Sequence, residues 1–96
     1  MHVISPRAVR EAQTKYQNSS KALGAWLKLL EENSFINYAE LKQVFASVDK
    51  VGKFCVFDVG GNKLRIITAI HFNRSKVYVR AVLNHKEYDQ GYWSKL

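Results

Sequence analysis

Ninety-six residues, 47% of them hydrophobic and 12% aromatic, fit one domain spanning 1–96 and exclude both a large cofactor-binding fold and disorder as the main state. Fifteen lysines and arginines against eight aspartates and glutamates give a net charge of +7, which favours a polyanionic partner, although a magnitude of about 2 to 8 also serves plain solubility. A single cysteine, Cys55, excludes an intrachain disulfide and a four-ligand zinc site, so a reducing cytoplasm is the expected location.

The chain begins without the basic and apolar regions of a signal peptide, and no apolar run approaches the ~18 residues a membrane span needs. No membrane association is expected. His2-Val3-Ile4 reads as a short first strand. Ser5-Pro6 then has the form of a helix start, a serine cap before a proline at the first helical position. Val9, Ala12 and Tyr16 follow at helical spacing. Ser19 or Ser20 caps a second helix in which Leu23, Trp26, Leu27 and Leu30 form one stripe. Asn37-Tyr38-Ala39-Glu40 has the spacing of a capping box and opens a third helix with Leu41, Val44 and Phe45.

The period changes from helical to alternating near residues 49–53, which predicts an α+β fold: N-terminal helices on one face of a small, mainly antiparallel sheet. Residues 54–59, 64–72 and 77–83 are the strands, joined by turns at Gly61-Asn62 and at residues 73–76. A two-residue first turn sets Phe57 opposite Ile66 and Asp58 opposite Arg65. A four-residue second turn sets Ile70 opposite Val79, His71 opposite Tyr78 and Asn84 opposite Arg65. One face then collects Cys55, Phe57, Val59, Leu64, Ile66, Thr68, Ile70, Phe72, Val77, Val79, Ala81 and Leu83 and takes the helices. The other carries Asp58, Arg65, His71, Tyr78 and Arg80 over an apolar floor that includes Val82.

No HExxH or CxxC spacing exists, the three histidines are far apart, and Cys55 is expected in the core, so neither a metal site nor a cysteine nucleophile is expected. The chemistry concentrates after the last strand. Asn84-His85-Lys86-Glu87-Tyr88-Asp89 holds an imidazole, an amine, a phenol and two carboxylates, and it leaves the sheet beside Arg65, with Arg80 on the same face. Composition alone allows a polar exit turn with Tyr88 packed back onto the domain. The two guanidiniums, which cannot lose their charge, make a cradle for a phosphodiester the alternative reading.

The run Val59 to Arg65, the apolar strand after it, Tyr78-Val79-Arg80 and then His85-Lys86-Glu87-Tyr88-Asp89 resemble the HigB branch of the RelE-like toxins of type II toxin–antitoxin systems. The resemblance covers nearly the whole chain. It implies a RelE-like microbial RNase fold and a metal-independent, cofactor-free endoribonuclease that cuts mRNA on the 70S ribosome, leaving 2′,3′-cyclic phosphate and 5′-hydroxyl ends. It further implies a monomeric toxin held inactive by a cognate antitoxin within a hetero-oligomer. Arg65, Arg80, His85, Tyr88 and Asp89 fall on family motif positions, and Lys86 lies inside the same element. His85 would act as acid or base, Arg65 and Arg80 as phosphate stabilisers, Lys86 as a further cation, Tyr88 as proton donor or stacking surface, and Asp89 as an orienting group. Many relatives have threonine where this chain has Asn84. Lys63, His71, Tyr78 and Trp93 are the expected RNA contacts, though Trp93 and Tyr92 could equally pack on the sheet or meet a partner. A non-catalytic RNA- or ribosome-binding module, or a docking domain for an acidic protein, would use the same basic face without turnover.

Overall fold

The alternating residues of the second half supply the three long strands of a mixed five-stranded sheet in the computed structural model of the chain, which describes residues 1–61 and 63–95. Its strands are β1 (His2–Ile4), β2 (Asp49–Val51), β3 (Phe54–Val59), β4 (Leu64–His71) and β5 (Lys76–Asn84), in the order β1-β5-β4-β3-β2. β1 runs parallel to β5, and the other pairings are antiparallel. The sheet carries four helices: α1 (Arg7–Lys15), α2 (Ser20–Glu31), α3 (Tyr38–Val44) and α4 (His85–Gln90). β2 is an addition to the sequence reading: its three exposed residues show no alternation, and it joins β3 only because Gly52 turns the chain at φ +58°.

The β3–β4 register is as expected, with Phe57 opposite Ile66 and Asp58 opposite Arg65. The turn assigned to Gly61-Asn62 includes Asn62, which lies outside the described residues. The β4–β5 register differs from expectation. Residues Phe72–Arg74 coil into a 3-10 turn closed by Ser75 in the left-handed conformation, so His71 pairs with Lys76 and Ile70 with Val77. A bulge then makes Arg80 the extra residue between the Thr68–Val79 and Ile67–Ala81 rungs. Beyond it every side chain changes face relative to the sequence reading. Ala81 and Leu83 point away from the helices, Val82 points toward them, and Asn84 lies opposite Leu64 rather than Arg65. Thr68 at the break is fully buried and donates its hydroxyl to the carbonyl of Cys55 across the rung at 2.8 Å, which satisfies it.

The main core lies between the sheet and α1, α2 and α3. Val9, Ala12, Leu23, Trp26, Leu30 and Leu41 meet Cys55, Phe57, Leu64, Ile66 and Val77 there. Phe57 is its centre, with Trp26 and Phe45 both edge-on at ring distances of 5.2 and 5.1 Å. Val44, expected in the stripe, faces solvent. The helix starts also differ in detail. Ser5 takes φ +55° and Pro6 is the cap of α1, while Ser19 caps α2 without a side-chain hydrogen bond. Asn37 accepts from the Glu40 amide, but the Glu40 carboxylate reaches the amide of Ile36, one residue before the reciprocal position.

A second, smaller core lies on the opposite face. Phe54, Val56, Ile67 and Trp93 are buried there, with Ala81, Leu83 and Tyr88 packed against them. The apolar floor read from the sequence is therefore roofed by α4 and by the 3-10 turn Tyr92–Lys95.

Candidate active site

The segment after β5 is a helix rather than an exit turn. Asn84 accepts a hydrogen bond from the Glu87 amide at 2.8 Å, and the Glu87 carboxylate accepts from the Asn84 amide at 3.0 Å, a complete capping box. Gly91 ends α4 in the left-handed conformation, φ +77°. The same Glu87 oxygen accepts from the Tyr16 hydroxyl at 3.4 Å, tying α4 to the end of α1. Helical spacing then sets His85 and Asp89 one turn apart, with Nδ1 2.9 Å from the carboxylate; both side chains are more than half exposed. An ionised carboxylate only accepts, so Nδ1 carries the shared proton and Nε2 is the nitrogen left for a substrate.

Tyr88 faces the sheet from the same helix. Its ring stacks on Trp93 at 4.9 Å and 11°, and the Arg65 guanidinium lies 5.3 Å from its centroid. Arg65 is in turn held by Asp58, its partner on the neighbouring strand, through a 2.9 Å ion pair in which the arginine side chain is only 11% exposed. Burial raises the Tyr88 phenol above its ordinary value, with Asp49, Asp58 and Asp89 adding to the shift and the Arg65 charge working against it. The phenol therefore stays protonated at neutral pH.

Arg65 and Tyr88 thus meet at one end of the sheet, and the His85–Asp89 pair lies on the helix that carries Tyr88, with Lys86 exposed on it as well. Other expected residues lie elsewhere. Arg80 projects from the bulge, exposed, and Arg65 pairs with Leu83 three residues further along β5, about 10 Å at ~3.3 Å per residue. His71 and Tyr78 form an edge-on pair at 5.2 Å next to the β4–β5 turn, at the opposite end of β4 from Arg65. Lys63 is exposed in the turn before β4. Of the alternatives open for Trp93, the structure shows packing on the sheet: it is 8% exposed, edge-on to Phe54 at 6.1 Å, and donates its indole N–H to the Tyr88 carbonyl at 2.9 Å.

Cys55 is buried on the helix side, and burial pushes its thiol up, against the local pull of Lys50. That suits packing rather than nucleophilic attack. Among the described residues no group of three or more His, Cys, Asp or Glu side chains is placed to hold a metal ion, and no helix is long and apolar enough to cross a membrane. Sequence reasoning set Asp58 opposite Arg65 and placed Asn84 and Glu87 in the polar run, but it gave none of them the role of fixing the site, and it missed the part of Tyr16 altogether. One signal was present, because Asn84-His85-Lys86-Glu87 has the same cap spacing as Asn37 to Glu40.

The family described as HigB toxin, the RelE-like toxic component of a toxin–antitoxin system, matches residues 19–91. The chain belongs to this family. The match begins at the cap of α2 and ends at the glycine that stops α4, so Arg65, Arg80 and all of α4 lie inside it. Among curated proteins, the mRNA interferase toxin HigB of Escherichia coli strain K12 is 38% identical over 92 residues, 93% of this chain and 88% of that protein. The mRNA interferase HigB of Shigella flexneri is equally similar, at 38% over the same shares. That of Escherichia coli O6:H1 is 36% identical over 93 residues, 94% of this chain and 90% of its own. A toxin of this family implies an antitoxin partner.

Proposed function

We propose that this protein cuts mRNA on the ribosome, without a metal, by attack of the ribose 2′-hydroxyl on the adjoining phosphate. The coarser statement follows from the family and from its relatives' names: it is the toxin of a toxin–antitoxin pair and an endoribonuclease of the mRNA interferase kind. The observation that carries the finer reading is the His85–Asp89 pair, 2.9 Å apart, on a helix that also brings the Tyr88 ring over Arg65.

In this reaction Asp89 holds the Nδ1 proton and His85 Nε2 accepts the proton of the 2′-hydroxyl. The 2′-oxygen forms a bond to phosphorus while the bond to the 5′-oxygen breaks. Tyr88, kept protonated by burial, supplies the proton to the departing 5′-oxygen. Arg65 and Lys86 stand beside the phosphate as the charge develops, and Arg80, with His71 and Tyr78 farther along the sheet, meets the RNA beyond it. The products are a 2′,3′-cyclic phosphate and a 5′-hydroxyl. The toxin is monomeric within a hetero-oligomer with its antitoxin and acts in the cytoplasm, where the ribosomes are.

The test is an in vitro translation reaction programmed with a defined mRNA and read by primer extension, beside ribosome-free RNA with EDTA. The wild type gives new ends only with ribosomes, and the downstream fragments accept kinase labelling without prior phosphatase, as 5′-hydroxyl ends do. His85→Ala lowers the rate by about 100-fold or more, and Arg65→Ala by about 100-fold. Intact mRNA at stoichiometric folded protein overturns the nuclease reading and leaves the basic face as a binding surface. Cleavage unchanged by His85→Ala overturns the assignment of the base.

A further inference from the structure

Behind α4, on the side of the sheet that faces α1 and α2, an open cleft of about 510 Å³ is lined by Lys15, Tyr16, Gln17, Asn18, Ser19, Lys63, Leu64 and Asn84. We propose that this cleft is a phosphate subsite that holds the RNA strand next to the phosphodiester being cut. The inference rests on the RNA-cleavage reading for the identity of its ligand, and its evidence is separate from the His85 constellation.

The lining has the chemistry of an anion site. None of the eight residues is acidic, and two are lysines, one on each side of the cleft: Lys15 at the end of α1 and Lys63 in the turn before β4. Ser19 is 4% exposed and lines the cleft, and its side chain makes no capping hydrogen bond to α2. A hydroxyl not spent on the cap can donate to an anion held in the cleft. Ser19 is also the cap of α2, a helix of twelve residues whose first turn receives no side-chain bond and contains no acidic residue. Its N–H groups and dipole favour negative charge at that end.

The position ties the cleft to the cutting site. Leu64 pairs with Asn84, so the residues on either side of this one rung are Lys63 in the turn before β4, Arg65 on β4, and His85 at the start of α4. Asn84 belongs to both places, lining the cleft while capping the helix that carries His85. Tyr16, also in the lining, donates to the Glu87 carboxylate of that cap, so the hydroxyl of Tyr16 is already committed and Ser19 supplies the one not spent on a cap. A strand whose reacting phosphate lies against His85 and Arg65 therefore continues over the rung into the cleft, where Lys15, Lys63 and the Ser19 hydroxyl meet a neighbouring phosphate.

The subsite is tested by amide chemical-shift titration of the full chain, first with inorganic phosphate and then with an RNA oligonucleotide blocked by 2′-deoxy substitution. Shifts at residues 15–20 and at Lys63, lost in the Lys15→Gln, Lys63→Gln double variant and reduced in Ser19→Ala, are the expected result. For the oligonucleotide the double variant binds about 10-fold more weakly per lysine removed, and its log-affinity against log-salt slope is shallower by about 1.4. Wild-type-like phosphate shifts, oligonucleotide affinity and salt slope in a double variant that melts like the wild type overturn the subsite, as does a loss confined to antitoxin binding. If the wild type cuts mRNA and the double variant cuts it equally well, the subsite fails while the interferase stands. If the wild type cuts nothing, the phosphate titration still decides the subsite.

Discussion

Trp93 separates two physical roles that predict opposite results on substitution. As a base-stacking residue it contributes to RNA affinity and little to stability; as the roof of the second core it does the reverse. The indole stacks on Tyr88, meets Phe54 edge-on and donates to the Tyr88 carbonyl. An aromatic that buries roughly 150 to 250 Å² accounts for about 4 to 6 kcal/mol at ~25 cal/mol per Å², an upper figure because unfolded chains bury some surface already. Measured truncations of buried aromatics to alanine cost roughly 3 to 5 kcal/mol. The low end applies here, because the neighbours Tyr92, Ser94 and Lys95 are exposed and the segment relaxes around the gap. Trp93→Ala is therefore expected to cost about 3 kcal/mol, a large part of the 5 to 15 kcal/mol typical of a small domain. At roughly 4 to 8 °C per kcal/mol, Tm falls by more than about 10 °C. Urea and thermal unfolding followed by circular dichroism measure it, with Trp93→Phe, which keeps a ring but loses the N–H, expected in between. Wild-type stability in Trp93→Ala, combined with weakened RNA binding, refutes the packing assignment and returns the residue to the RNA.

Loss of the α4 cap in Asn84→Ala costs about 1 kcal/mol and lowers cleavage along with it, whereas Asn84→Thr keeps both, as read by urea midpoints and primer extension. Asp89→Asn leaves unfolding unchanged, because the pair is exposed, and slows cleavage by at least about 10-fold through loss of the fixed Nδ1 proton. Thr68→Val removes the fully buried hydroxyl from the Cys55 carbonyl and costs about 1 to 3 kcal/mol by leaving an acceptor unpaired, with the cleavage rate per folded molecule unchanged. In alkaline titration the Tyr88 phenolate forms above the ordinary value of 10.0. Because its folded value is raised, the stability it contributes is present below that value and is lost as pH rises through the folded one. Tyr88→Phe removes that component of the alkaline loss, and an unchanged pH profile of unfolding in the variant contradicts the shift.

The faces of β3 and the near half of β4 were readable because a two-residue turn and strict alternation leave one register for Phe57 and Ile66. The far hairpin was not. Nothing in Phe72 to Ser75 announces that these four residues coil tightly enough to let Lys76 pair with His71, and a bulge at Arg80 has no compositional mark. The tighter turn and that one extra residue together moved Asn84 from Arg65 to Leu64, and the extra residue exchanged the faces of Ala81, Val82 and Leu83. The helical nature of residues 85–90 was legible in the cap spacing of Asn84 and Glu87, but six residues of mixed charge give no hydrophobic period to support it.

The bulge also explains how so short a chain places acid–base groups on one side of a sheet end and a cationic cleft on the other. Without Arg80 as the extra residue, Asn84 would face the Tyr88 side and the helix it caps would start from the wrong face. With it, Asn84 turns toward Leu64 and Tyr16, so the cap of α4 is anchored on the helix side through Glu87 and Tyr16. α4 then crosses the sheet edge, and Tyr88 can reach Arg65 and Trp93 on the opposite face. Deleting Arg80 should therefore cost little beyond the guanidinium: Ala81 then follows Val79 directly and stays opposite Ile67, and Val82, Leu83 and Asn84 keep their partners and faces. Arg80→Ala keeps the extra residue and loses only the guanidinium. Similar urea midpoints in Arg80→Ala and in the deletion are the outcome this register requires. Unfolding in the deletion alone would show that the bulge itself, and not only the faces it sets, holds α4 in place.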